Sequence, residues 1–364
     1  MWRRLLFQTH RRVGLGAGIY LVAIGITGAA LVFRQDMQAA VYPEFFDVDR
    51  GGAREAEPAL VLRALEAAYP GYRVSGLDWP TYRRGTFLAY VSHGDEFKTV
   101  FAHPVSGQVT GELPFDAIRW LQELHFNLLG GPTGLMINGI GAALLLAMCI
   151  SGLVIWWPGA ARWARALRVD VSRGWKRVIW DLHGAIGMWL WAFIVMWALT
   201  GIYFAFPQPF RRTVNAVSPL TVVRAPESDL SGARVVPGSP QASSLQPGAL
   251  IARARQAVPD GRIARFVFPY GNRGAYQLVM ARAVHGDYDT TDEVTLYFDQ
   301  YTGALLLTRD HARRSGGDAL TAWIGPLHTG TLGGLTVKVL WAIVALALPV
   351  LFITGGTMWW NRVR

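Results

Sequence analysis

Four long apolar runs constrain this chain more than any other feature of its sequence. They are VGLGAGIYLVAIGITGAALVF (13–33), LMINGIGAALLLAMCISGLVIWW (135–157), GAIGMWLWAFIVMWALTGIYFAF (184–206) and LTVKVLWAIVALALPVLFITGGTMWW (335–360). Each is long enough to cross roughly 30 Å of hydrocarbon as a helix. Hydrophobic residues make up 52% of the chain and charged residues 16%, too apolar a balance for an average soluble protein. The expected fold is an integral membrane, α-helical four-span bundle. The first run follows MWRRLLFQTHRR, but it exceeds the ~7–15 apolar residues of a signal peptide and has a matching partner later in the chain. It is read as a retained span.

Arginine placement sets the expected orientation. Arg3, Arg4, Arg11 and Arg12 precede the first run, Arg162, Arg165, Arg168, Arg173, Lys176 and Arg177 follow the second, and the chain ends NRVR. The positive-inside rule places these three segments in the cytoplasm. The formal charge of +10 is thereby a topology signal rather than a nucleic-acid-binding one. The expected organisation is span 1 with a cytoplasmic N-terminus (1–34), an extracytoplasmic α+β domain (35–114), and an interfacial helix with span 2 (115–157). A cytoplasmic loop (158–178), span 3 (179–206) and a second α+β domain with a Pro/Ser-rich linker (207–316) follow. An interfacial helix, span 4 and a cytoplasmic C-terminus (317–364) complete it. Lipid is the partner along the spans. Cys149, the only cysteine, lies inside a span and reads as packing.

The chain repeats itself. Aligning His125 with His328 brings Trp120 onto Trp323, Gly130-Gly131 onto Gly333-Gly334, Ser151-Gly152 onto Thr354-Gly355 and Trp156-Trp157 onto Trp359-Trp360. Aligning His10 with His183 brings Gly14 onto Gly187, Thr27-Gly28 onto Thr200-Gly201 and Phe33 onto Phe206. Both halves have one orientation, so this is a parallel duplication with a pseudo-two-fold axis along the membrane normal. Within it, GLGAG (14–18) and NGIGAA (138–143) suit close helix contacts. Each extracytoplasmic segment reads as a helix followed by alternating strands with SG or TG hairpin signals. The stretch 215–248 reads as a loop or linker.

Four of the eight histidines sit at the entry to an apolar run: His10 and His183 from the cytoplasmic side, His125 and His328 from the other. Symmetry pairs them by leaflet. A flat ligand taking one neutral imidazole on each face fits such a pair, as haem b does in membrane cytochromes. The expected cofactors are two non-covalent bis-histidine haems b. The alternative is that these are interfacial histidines tolerated near water, and four at repeat-matched positions weigh against it. Arg11, Arg12 and Arg34 are candidate partners of haem propionates. Lys338 either snorkels outward or meets a propionate of the outer haem. The Gly-Gly pairs after His125 and His328 let an interfacial helix turn into a spanning one. Trp156, Trp157, Trp359 and Trp360 read as an aromatic belt. His93, His103, His285 and His311 read as solvated.

The sequence resembles the PepSY-associated transmembrane family through THRRVGLGAGIYLVAIGITGAALVF, ELHFNLLGG…ISGLVIWWPG, DLHGAIGMWLWAFIVMWALTGIYF and PLHTGTLGG…ITGGTMWW. The two α+β units are similar to PepSY modules. The family includes bacterial inner-membrane di-haem reductases that act on ferric siderophores at the periplasmic face. The resemblance implies haem b ligation at the four matching histidines and a bacterial inner membrane as the location; reduction of a ferric siderophore is the leading expectation, one that the resemblance alone does not fix. One departure is His103, where the second copy has Asp299. With no flavin or nicotinamide domain visible, the expected electron donor is a quinol or a cytoplasmic protein. The rival readings are a non-catalytic sensor or protease regulator and, less well supported because acidic residues are nearly absent from the spans, a transporter.

Overall fold

The computed structural model describes residues 1–48, 52–81, 84–94, 96–222, 224–232, 234–235, 242–243, 247–282 and 292–363. His285 and much of the 215–248 linker lie outside them. The chain forms two compact units, one helical (Met1–Arg34, Phe115–Thr213, Thr321–Arg364) and one built on a sheet (Gln35–Pro114, Val214–Leu320).

In the helical unit, Gly131–Trp156 and Gly334–Val363 are each long and apolar enough to cross a membrane. The first and third apolar runs are not straight. Trp2–Gly16 with Gly18–Leu31, and Trp175–Trp189 with Trp191–Ala205, form pairs bent by 59°, each pair satisfying the same criterion as one broken span. The breaks fall at Ala17 and Leu190, which coincide when His10 is laid on His183. Glycines at 14, 16 and 18 give the first break a local cause. Small residues let the helices approach. A Cβ on Gly18 would overlap the Phe352 ring, one on Gly139 would overlap Ala205, and one on Gly141 would overlap the Tyr20 hydroxyl.

The expected turn into the second span is present, with an unexpected source. The helix Ala117–Asn127, capped by Asp116 accepting from the Arg119 N–H at 2.8 Å, ends in left-handed Leu128 (φ 52°) and Leu129 (φ 59°) before Gly131 (φ 55°). Left-handed backbone costs a non-glycine residue about 1–2 kcal/mol. Backbone bonds from Leu128 to Leu124 (3.1 Å) and from Gly130 to Asn127 (2.8 Å) oppose that cost. Asn138 bolts the turn to the span: its Nδ2 donates to the carbonyls of His125 (2.7 Å) and Phe126 (3.1 Å), while the Tyr20 hydroxyl donates to its Oδ1 at 2.6 Å. In the second half Gly330 and Gly334 supply the positive φ. There Trp341, at the position matching Asn138, donates from Nε1 to the Leu327 carbonyl at 2.7 Å. Its ring meets Phe193, the counterpart of Tyr20, edge-on at 5.5 Å. A polar Tyr–Asn pair and an aromatic Phe–Trp pair thus do one job in the two halves.

The sheet unit revises the expectation of two separate α+β domains. The strands are β1 (Arg73–Asp78), β2 (Phe87–His93), β3 (Glu96–Ala102), β4 (Val109–Glu112), a two-residue pair β5 (Arg234–Val235) and β6 (Ala242–Ser243), then β7 (Arg262–Val267), β8 (Ala275–Ala281), β9 (Glu293–Asp299) and β10 (Leu305–Asp310). Eight of them form one antiparallel sheet in the order β10-β9-β8-β7-β1-β2-β3-β4. The helices Pro58–Ala68 and Pro247–Ala257 add Val61, Leu65, Leu250 and Ala254 to a single core with Leu77, Phe87, Phe266, Leu278 and Phe298. Two meanders have fused edge to edge, because an unpaired edge is a liability that pairing removes.

The seam is reciprocal. Leu77 pairs with Phe266, Gly76 with Val267 and Asp78 with Arg265. Beyond these, the Trp79 N–H donates to the Ala264 carbonyl at 2.9 Å, and the Phe268 N–H donates to the Ser75 carbonyl at 3.0 Å. Both strands are irregular at matching points, β1 between Val74 and Gly76 and β7 between Ile263 and Arg265. Arg265 clamps the seam with two bonds to the Asp78 carboxylate, at 2.6 and 2.9 Å. Asp78 is almost fully buried there, while the arginine is half exposed. Arg265→Ala leaves that carboxylate short of its charged donor and is expected to cost roughly 1–3 kcal/mol. Chemical unfolding of the full-length protein, followed by tryptophan fluorescence, would reveal it; an unchanged midpoint would show that the clamp is idle.

Candidate haem-binding site

The helical unit brings the four expected histidines together in two pairs. His10, on Trp2–Gly16, and His183, on Trp175–Trp189, line one cavity of about 380 Å³. Gly14, Gly18, Gly152, Gly184, Gly187 and Gly355 line it too, which removes side chains from its walls. His125, on Ala117–Asn127, and His328, on Gly316–Thr329, face each other with ring centroids 6.3 Å apart and planes inclined at 62°. Two imidazoles that held one metal ion between them, each at about 2 Å, would stand nearly that far apart. Phe204 packs edge-on against His328 at 5.2 Å. Among the described residues no three His, Cys, Asp or Glu side chains converge on one point.

Each imidazole meets a hydroxyl from another helix. His10 Nδ1 lies 2.8 Å from Ser151 Oγ, and His125 Nδ1 lies 2.9 Å from Thr27 Oγ1. His183 Nδ1 lies 2.9 Å from Thr354 Oγ1, and His328 Nδ1 lies 2.6 Å from Thr200 Oγ1. Each histidine thus meets a hydroxyl from its own half of the chain, Ser151 and Thr27 in the first and Thr354 and Thr200 in the second. The glycine after the hydroxyl lets the ring come close: a Cβ at Gly28 would stand 3.0 Å from His125 Cε1. At Gly152 and Gly355 it would stand 3.3 Å from the Cε1 of His10 and His183. The carbonyl of His328 also accepts from Trp197 Nε1 at 3.0 Å.

The cations divide. Arg11 lines the His10–His183 cavity, as do Arg177 and Arg362. Arg177 pairs with Asp181 at 2.9 Å; Arg362 lies 5.0 Å from the Phe7 ring centroid and 5.5 Å from that of Trp180. Arg34 donates to Gln122 Oε1 at 2.7 Å, tying the end of the first span to the helix that carries His125. Lys338 is buried at 5% exposure, so the snorkelling alternative fails. Trp157 and Trp360 are half exposed, as a belt requires, but Trp156 and Trp359 turn inward onto the cavity.

The family of PepSY-associated TM regions matches residues 7–362. The chain belongs to the PepSY-associated transmembrane family. It is a membrane protein. It is also 30% identical, over 88 residues, to an uncharacterized protein of Pseudomonas aeruginosa strain PAO1, a match that covers 23% of this chain and 21% of that one. The chain therefore spans only about a fifth of that relative's length in the match.

For this PepSY-associated chain, sequence reasoning found the histidines and missed the four hydroxyls, although Ser151-Gly152, Thr27-Gly28 and their counterparts served as landmarks of the repeat. It also misread two histidines of the sheet unit. His103 is half buried, and its Nδ1 accepts from the N–H groups of Val105 and Ser106, both at 3.2 Å. Asp299 closes the corresponding turn with Oδ1, accepting from Tyr301 (2.9 Å) and Thr302 (2.8 Å). The departure between the two copies is thus a change of turn cap. His311 is half buried beside Thr295 Oγ1 (3.2 Å), and burial, then the charges of Arg309 and Arg314, push its pKa down to about 4.

Proposed function

We propose that this protein is a di-haem b electron-transfer protein that reduces ferric siderophore on the periplasmic side of the bacterial inner membrane. The observation that carries the reading is the gathering of four repeat-matched histidines into two facing pairs, one around a cavity of about 380 Å³ and one with ring centroids 6.3 Å apart. The residues fit a flat ligand held on both faces: neutral imidazoles, walls of glycine, and arginine at the His10–His183 cavity. In this reading His10 and His183 would hold one haem, and His125 and His328 the other. Bound haem supplies one-electron transfer; the chain supplies the two levels at which that chemistry occurs.

The finer architecture belongs to the same proposal. The segments Gly131–Trp156 and Gly334–Val363 and the two bent pairs form four crossings, arranged as a parallel duplication, with both termini and the 158–178 loop in the cytoplasm by the positive-inside rule. The sheet unit then faces the periplasm, and a quinol or cytoplasmic protein delivers electrons at the His10–His183 level. Arg11 is placed to neutralise a haem carboxylate, and its guanidinium offers the paired donors such a group takes.

An absorption spectrum of purified protein, oxidised and then reduced with dithionite, tests the reading. The expected result is a low-spin b-type spectrum with sharp reduced bands, corresponding to about two haems per chain, because paired imidazoles leave no open position. A colourless protein that takes up no added haem would leave the sensor or protease-regulator reading in its place.

A further inference from the structure

Each hydroxyl that meets a histidine has a second oxygen neighbour in its own helix. Thr27 Oγ1 is 2.7 Å from the Ala23 carbonyl, Thr200 Oγ1 is 2.8 Å from Met196, Thr354 Oγ1 is 2.8 Å from Val350, and Ser151 Oγ is 3.1 Å from Met148. A carbonyl only accepts, and two oxygens at such a distance are held by a proton between them. A hydroxyl has one proton to give, and here the carbonyl takes it. The imidazole Nδ1, at 2.6–2.9 Å, therefore faces a hydroxyl lone pair. That contact is a hydrogen bond only if Nδ1 carries the proton. In a neutral imidazole the free lone pair then sits on Nε2.

We propose that Thr27, Ser151, Thr200 and Thr354 are positioning residues that hold all four histidines as Nδ1–H tautomers, with Nε2 free to ligate. The role rests on the haem reading above and adds to it a means of choosing which ring nitrogen meets the metal. A partner that accepts from the non-ligating nitrogen fixes the ring and raises its basicity. Hydroxyl and glycine divide the work within one dipeptide: the hydroxyl takes the ring proton, and the missing Cβ of Gly28, Gly152 and Gly355 admits the ring edge. The inner pair is also uneven. Ser151 is the one serine of the four, and its proton goes to an i−3 carbonyl at 3.1 Å rather than an i−4 carbonyl at 2.7–2.8 Å. The hydroxyl that meets His10 is thus the least firmly anchored of the four.

The test compares full-length wild type, Thr354→Val and Thr354→Ser in detergent. Ring nitrogen-15 shifts of His183 in haem-free wild-type protein should report Nδ1 as the protonated nitrogen. In Thr354→Val, retention of the inner haem against an apomyoglobin acceptor should weaken by about 10–100-fold. Its midpoint potential should rise, because a less basic imidazole stabilises the ferric state less. Thr354→Ser restores both, which a side chain needed only for packing would not. A protonated Nε2 in wild type would overturn the proposal, as would wild-type retention and potential in Thr354→Val. The ring shifts need no haem. Nδ1–H shifts in a protein that takes up none would leave the tautomer assignment standing and sink the haem reading instead.

Discussion

Protein in which His10 and His183 are both alanine is expected to retain one haem of the two. Removing both imidazoles of a pair removes both of the side chains that would hold that haem. The companion His125→Ala/His328→Ala should lose the other haem and keep the first, since the two pairs share no ligand. Pyridine haemochrome quantification against protein concentration gives the ratio directly. The two double variants should also keep different midpoint potentials, one for each level. Two normal haems remaining in the first variant would show that the histidines are paired wrongly or are not ligands.

Reduced wild-type protein is expected to be reoxidised by a ferric siderophore and to stay reduced with its gallium analogue, which matches it in shape and charge but accepts no electron. One electron passes from the protein to ferric iron, and the ferrous product is a softer ion that hard oxygen ligands hold less tightly. If the periplasmic level delivers that electron, His328→Ala should abolish reoxidation while the His10–His183 haem remains reducible. Stopped-flow absorbance at the reduced band follows both steps. Wild-type rates in His328→Ala would overturn delivery through the outer pair. Equal rates with iron and gallium complexes would overturn reduction of the siderophore altogether.

The sequence made the histidines legible because the repeat placed one at the entry to an apolar run four times. The partners of those histidines were not legible. Threonine or serine inside a helix ordinarily bonds back to its own i−3 or i−4 carbonyl. Thr27, Thr200 and Thr354 do so, and nothing in their local pattern announces a second contact on another helix. The turn after His125 was marked by Gly130-Gly131, yet Leu128 and Leu129 carry much of the left-handed backbone. Local backbone bonds to Leu124 and Asn127 help to make that tolerable, and the bonds of Asn138 that secure the turn are tertiary. Hydropathy marked the first and third apolar runs without the bends at Ala17 and Leu190 because it measures composition and not direction. The β1–β7 pairing was hidden for a different reason: backbone ladders are chemically alike, so a free edge does not name the edge that will meet it.

The reciprocity of that pairing has a consequence for how a chain of this kind arises. Where Trp79 takes from Ala264 what Phe268 takes from Ser75, the two sides are the same surface met twice. This is the isologous contact that identical subunits make when they form a two-fold dimer. A half-length polypeptide with one meander carries both sides of it already. Two separate copies reach the same eight-stranded sheet, and joining them end to end adds a tether without requiring a new interface. From then on the halves are free to diverge, as they have where Asp78 matches Val267 and Arg265 matches Gly76. Covalent linkage thereby converts a symmetric assembly into one in which the two sides of the sheet, and the two histidines of each pair, can be tuned separately.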